Sequence, residues 1–207
     1  GSLSRDALGR ILQLAEEADA LAIGTSLSNN SDTTMLVERL LTEAEGSLIL
    51  CDDGATAARS QLSLLATRPN TLWILTMPEV LKLCGALGIA IHIREGAGLI
   101  NKLQIIRNLS QALTGDLAVF GTEVAVAAEG QLSVTPVNHR LSLQPTAFYA
   151  VLASFWLQNR GRPLAGLTTG AYVLGQVSQA FDATANPTVT QLAAAISQTL
   201  KASEDTW

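Results

Sequence analysis

The feature that most constrains this chain is an alternation of short apolar runs with longer amphipathic stretches, sustained from Ala20 to Phe120. Ala20-Leu21-Ala22-Ile23-Gly24 is an apolar run closed by glycine, the pattern of a buried parallel strand leading into a loop, here the polar segment Thr25–Asn30. Asp32-Thr33-Thr34 opens a helix expected to turn Met35, Leu36, Leu40 and Leu41 inward. The unit then repeats. Ser47–Cys51 reads as a strand, Asp52-Asp53-Gly54 as a turn and Ala55–Ala66 as a helix; Thr71–Leu75, Thr76-Met77-Pro78 and Glu79–Leu87 follow the same order. Ile89–Ile93 reads as a further short strand, Gly96 and Gly98 as loop, Asn101–Leu113 as a helix carrying Leu103, Ile106 and Leu109, and Asp116–Phe120 as a strand. Ahead of all this, Leu8, Ile11, Leu12 and Ala15 recur at helical spacing in Ser4–Ala18, with Ser4 as cap. A βα alternation of this kind folds as a three-layer α/β/α sandwich around a mostly parallel sheet.

After Phe120 the pattern changes. Glu123–Ala128 and Leu132–Thr135, joined at Gly130, read as a late β-hairpin. Three helices follow: Thr146–Leu157; Leu164–Gln179, where Gly166, Gly170 and Gly175 allow close approach; and Thr188–Leu200, set off by Asn186-Pro187. No linker of biased composition divides the chain, so residues 1–207 are expected to form a single α/β domain. A glycine-rich turn after the first strand, which dinucleotide binding would require, is missing.

Composition narrows the function classes. The net charge is −5 and the Lys and Arg residues are scattered, which excludes the cation clusters a nucleic-acid binder needs. Apolar stretches are interrupted well short of a membrane span, and no secretory leader is visible; Gly1 fits a residue left from an expression tag, with the native start upstream. Cys51 and Cys84 lie in apolar contexts and read as buried free thiols, expected in a reducing cytoplasm, with a disulfide or reactive pair as the alternative. Only 15% of residues are charged, which suits apolar surface covered by another copy, hence a homo-oligomer.

Chemistry-bearing residues are few. Asp52 and Asp53 follow a strand, at the edge where α/β sheets carry their active sites. Such a pair can hold Mg²⁺ or accept a substrate proton, and it equally makes a capping turn. Thr25, Ser26, Ser28 and Asn29 can line a pocket or form an ordinary turn. His92, His139 and Arg140 have no partner at metal-ligand spacing; His139 with Arg140 suits either an anion or a solvated loop. Glu79 reads as a helix cap, and Cys51 lacks a base near it in sequence. The turn before the first late helix, Gln144-Pro145-Thr146-Ala147-Phe148-Tyr149-Ala150, has no glycine, acid or lysine, although a phosphate cradle needs small residues and charge.

From Ala18 to about Leu200 the chain resembles the ADP- or ATP-dependent NAD(P)H-hydrate dehydratases of the ribokinase-like superfamily. Ala18–Gly24 resembles the family's first strand, with Thr25-Ser26-Leu27 where Pro-Gly-Leu is usual. Ile49–Asp53 resembles a strand ending in Asp-x-Asp, with Cys51 at the first acid. Ile74–Glu79 resembles a Leu-Thr-Pro-His-Pro-Gly-Glu segment without its histidine. Asp116–Gly121 and Glu123–Asn138 resemble the strand and hairpin over which nucleotide lies, with Phe120 where lysine is usual. Val151-Leu152-Ala153-Ser154 matches a helix start preceded in the family by Gly-Thr-Gly-Asp; Ala147–Ala150 stand in that motif, Ala150 for the catalytic aspartate.

The resemblance implies a ribokinase-like fold. For an active member it also implies ATP or ADP with Mg²⁺ as cofactors, and hydrated NADH or NADPH as substrate. It points to Asp53 as the catalytic residue, to Glu123, Asn138 and Thr146 for nucleotide, and to Gly24, Thr25, Ser26 and Asp52 for substrate. Phe148 and Tyr149 would crowd a phosphate, as core rings or as a base-stacking surface. Three functions stay open: a working dehydratase, a catalytically degenerate nucleotide or metabolite binder, and a non-catalytic assembly subunit.

Overall fold

The computed structural model describes residues 7–25, 27, 31–91, 98–137, 145–181 and 187–204. Its architecture is a three-layer α/β/α sandwich, and the strands follow chain order in a six-stranded sheet, β1 to β6. The chain divides into two compact units, Gly1–Leu117 and Ala118–Trp207.

In the first unit, β1 (Ala20–Ile23), β2 (Ser47–Cys51) and β3 (Thr71–Thr76) run parallel, with Ala22 opposite Ile49 and Leu50 opposite Trp73. Every residue of β2 is buried, which is why its sequence is a continuous apolar run rather than an alternating one. The crossovers are helical: α1 (Ala7–Glu17) precedes β1, α2 (Ser31–Glu43) joins β1 to β2, and α5 (Met77–Ala86) and α6 (Gly98–Ala112) follow β3. Helix α2 buries Thr33, Leu36, Val37, Leu40 and Leu41, a stripe at helical spacing. Met35 does not join it: one step of about 100° from Leu36 leaves it 42% exposed. Between β2 and β3 the expected single helix is three short pieces, α3 (Asp53–Ala57), a 3₁₀ turn (Ala58–Gln61) and α4 (Leu62–Leu65). Residues 89–91 form no strand, and His92 and Ile93 lie outside the described residues. Gly98 is the first residue of α6 rather than loop.

β4 (Asp116–Phe120) leads into the second unit. There β5 (Glu123–Ala128) and β6 (Gln131–Pro136) form the antiparallel hairpin, with Ala128 opposite Gln131. The two turn residues, Glu129 and Gly130, both have positive φ (54° and 73°), the geometry that two-residue hairpins favour. Helices α7 (Pro145–Gln158), α8 (Pro163–Gln179) and α9 (Val189–Glu204) complete the unit. Helix α8 lies on the hairpin and carries α7 and α9 against it. A Cβ at Gly166 would stand 2.7 Å from the Phe155 carbonyl oxygen, and one at Gly175 would stand 2.9 Å from Thr135 Cγ2. The glycines of α8 therefore set its approach to α7 and to β6.

Candidate functional site

The C-terminal end of β2 is the most constrained point of the first unit. The chain leaves the strand at Asp52 with φ 49° and ψ −120°, a conformation costing a non-glycine residue about 1–3 kcal/mol. Packing holds it there. The next helix starts so close to β1 that a Cβ on Gly54 would lie 2.0 Å from the Ile23 carbonyl oxygen. Only glycine fits. A Cβ on Gly24 would meet Cys51 Sγ at 2.6 Å, so Gly24 is set by contact with the Cys51 sulfur.

The two acids have different surroundings. Asp53 Oδ2 accepts the Leu27 backbone N–H at 3.1 Å, so the residue expected to be catalytic anchors the loop that contains Thr25. Asp52, at the strained position, has its carboxyl pushed up, first by burial and then by the Asp53 charge. Cys51 Sγ donates to the Ile23 carbonyl at 3.8 Å. Burial, followed by the charges of Asp52 and Glu79, pushes its thiol up to about 12, so it carries almost no thiolate near neutrality. Glu79 forms a reciprocal capping box with Thr76: its Oε2 accepts the Thr76 N–H at 2.5 Å and the Thr76 hydroxyl at 2.7 Å. No group of three or more His, Cys, Asp or Glu among the described residues could hold a metal ion. With Asp53 bonded to the Leu27 amide, the described residues at the strand end lack the convergent oxygen set of a protein-built Mg²⁺ site.

In the second unit Pro145–Ala150 is not a turn but the first turns of α7, opened by Pro145, a residue suited to a helix start. Phe148 is fully buried and stacks on Phe120 at the end of β4, with centroids 5.1 Å apart and planes 25° apart. Tyr149 meets Phe120 edge-on at 5.6 Å. These rings form a hydrophobic cluster, as expected for core rings, and α7 contains no charged residue to hold a phosphate. Ala150 is exposed, and its carbonyl accepts the Ser154 hydroxyl at 2.8 Å. Glu123 opens β5 and accepts the Thr122 hydroxyl. Thr146 lies at the start of α7, on the rim of a cavity shared with α9. Ser26 and Asn138 lie outside the described residues, as do Ser28, Asn29, Gly96, His92, His139 and Arg140.

The structure thus brings Gly24, Cys51, Asp52 and Asp53 together at one strand end, and Phe120, Phe148 and Tyr149 in one cluster. Sequence reasoning missed the stacking of Phe120 on Phe148; both were read as departures at separate positions. It also missed the α7–α9 cavity, whose signal was the small pair Ala147 and Ala150 on one helix turn.

The fold is that of the ribokinase-like superfamily. A ribokinase-like superfamily protein of Enterococcus faecalis, EF1790, superposes with a TM-score of 0.70 at 13% identity, over 95% of this chain and 68% of that one. The hypothetical protein SMU.573 of Streptococcus mutans gives a TM-score of 0.70 at 11% identity, over 96% of this chain and 71% of that one. In sequence, the chain is 28% identical over 141 residues to the bifunctional NAD(P)H-hydrate repair enzyme Nnr of Moorella thermoacetica, covering 67% of this chain and 25% of that enzyme. The match therefore spans a quarter of the enzyme's length. No family model matches the chain.

Proposed function

We propose that this chain is a divergent NAD(P)H-hydrate-dehydratase-like protein whose catalysis has lapsed, acting as a binding or assembly subunit within a homo-oligomer. The observation that carries this reading is the Phe120–Phe148–Tyr149 cluster. In the family that the sequence resembles, those positions carry a lysine and a glycine motif serving a nucleotide; here they carry packed rings. Ala150, in the place of the family aspartate, offers no proton acceptor. Asp53 spends one carboxylate oxygen on Leu27. The partial likeness to the Moorella enzyme, whose name states NAD(P)H-hydrate repair, supports the dehydratase-like part. Low charge and exposed Ile100 (82%) and Tyr172 (51%) support self-association. Free Cys51 and Cys84, both buried, support a reducing cytoplasm, and no helix among the described residues is long and apolar enough to cross a membrane.

A working ADP- or ATP-dependent lyase is the second reading, favoured by the acids at the end of β2. Recovery of NADH from its hydrate, followed at 340 nm with ATP or ADP and Mg²⁺, separates the two. The expected result is no turnover above background, since a positioned acid–base group alone is worth about 10²–10⁴-fold. Turnover within about tenfold of an active dehydratase assayed alongside would overturn the proposal.

A further inference from the structure

The second unit contains a cavity of about 280 Å³ that the ring cluster does not fill. Helices α7 and α9 both pack on α8, and where they start they leave a space between them. Its floor is aliphatic: Val151 from α7, with Leu192 and Ile196 from α9. Its width comes from small residues, Ala147 and Ala150 on one side and Ala193 on the other. Val189, on the rim, is 76% exposed.

The lining decides the chemistry. Thr146 is the one polar side chain among the described lining residues. Helix α7 has no charged residue, and residues 189–200 of α9 have none. Gln191, near the rim in sequence, is committed to capping α9: its Oε1 accepts the Thr188 N–H at 2.8 Å and the Thr188 hydroxyl at 3.0 Å. A phosphate or carboxylate entering this space would lose its hydration with no cation among the described lining residues to replace it. An apolar body would lose nothing and gain contact with three aliphatic side chains. The volume is about twice that of a cavity known to hold one benzene ring.

We infer that the space between the first turns of α7 and α9 is a binding site for an uncharged, mostly apolar small molecule about the size of two fused rings, with Thr146 as its polar contact. This inference does not rest on the lapsed-catalysis reading; a working dehydratase could carry the same site.

Indole is a suitable probe, being bicyclic, uncharged and equipped with one N–H for the Thr146 hydroxyl. In methyl NMR titration of the full chain, indole should shift Val151, Leu192 and Ile196 saturably, with a dissociation constant of about 1 mM or below. Ala193→Phe, which fills the space from α9, should weaken binding at least tenfold. Ala150→Leu should do the same from α7, so that a folding defect in either variant leaves the other as the test. Absence of saturable shifts in those three methyls would overturn the inference. It would fail equally if both filled variants bound indole as the parent does, or if ATP shifted the same methyls at lower concentration than indole.

Discussion

Asp53 shows how one side chain separates a structural role from a chemical one. The family resemblance marked it in the sequence as the acid to carry chemistry. In the structure one carboxylate oxygen accepts the Leu27 amide, 26 residues back in the chain. That long-range bond was invisible in the sequence because nothing local encodes which loop amide will reach the strand end. Asp53→Ala should therefore act on the loop. Loss of a bond to a charged acceptor predicts destabilisation of about 1.5 kcal/mol in urea unfolding. It also predicts faster hydrogen exchange at the Leu27 amide. Unchanged exchange there would mean that Asp53 is not the anchor and that its carboxylate is available to a ligand. Asp52 was legible as an acid at a strand end; its strained backbone was not, since the strain comes from Gly54 being pressed against β1.

Elements were more legible than contacts. The strands expected at Ala20–Ile23, Ser47–Cys51, Thr71–Leu75 and Asp116–Phe120 formed, because continuous apolar runs between polar turns have few other solutions in a parallel sheet, whereas residues 89–91 of the run Ile89–Ile93 formed none. The hairpin formed for the same local reason, its two turn residues accepting positive φ. The stretch after Asp53 was misread as one helix. It breaks at Gln61, whose φ of −115° and ψ of 21° leave helical geometry, a conformation no residue type there announces. Arg68 is the element-level device that the sequence hid. Its guanidinium donates to the carbonyls of Leu41 (3.2 Å), Ala44 (2.7 Å) and Gly46 (3.1 Å), satisfying the end of α2 and the turn into β2. Arg68→Ala strands these acceptors, and urea unfolding should show a loss of about 2–3 kcal/mol. Arg68→Lys should recover only part of it, since a single ammonium lacks the planar fork that spans three carbonyls. Full recovery by lysine would show that charge at the helix end, not the fork, is what counts.

For the whole molecule, the proposed lapse of dehydratase chemistry raises the question of whether one residue could supply that chemistry or the fold itself excludes it. Ala150 is exposed on α7, not buried beside the rings, so a carboxylate there would keep its hydration. Ala150→Asp should accordingly change stability by no more than about 0.5 kcal/mol. It should still give no recovery of NADH from its hydrate, because the new carboxylate leaves Phe120 and Phe148 stacked and supplies no cation. Opening that position means removing Phe148, which is completely buried. Phe148→Ala should cost about 3–5 kcal/mol, a large share of the stability of a chain this size. The double variant Ala150→Asp with Phe148→Ala should thus be much less stable than Ala150→Asp alone and equally inactive. Urea unfolding and the 340 nm assay on the same three proteins decide the matter. Activity in Ala150→Asp alone would mean that the rings do not obstruct the chemistry, and that a single acid separates this chain from a working lyase.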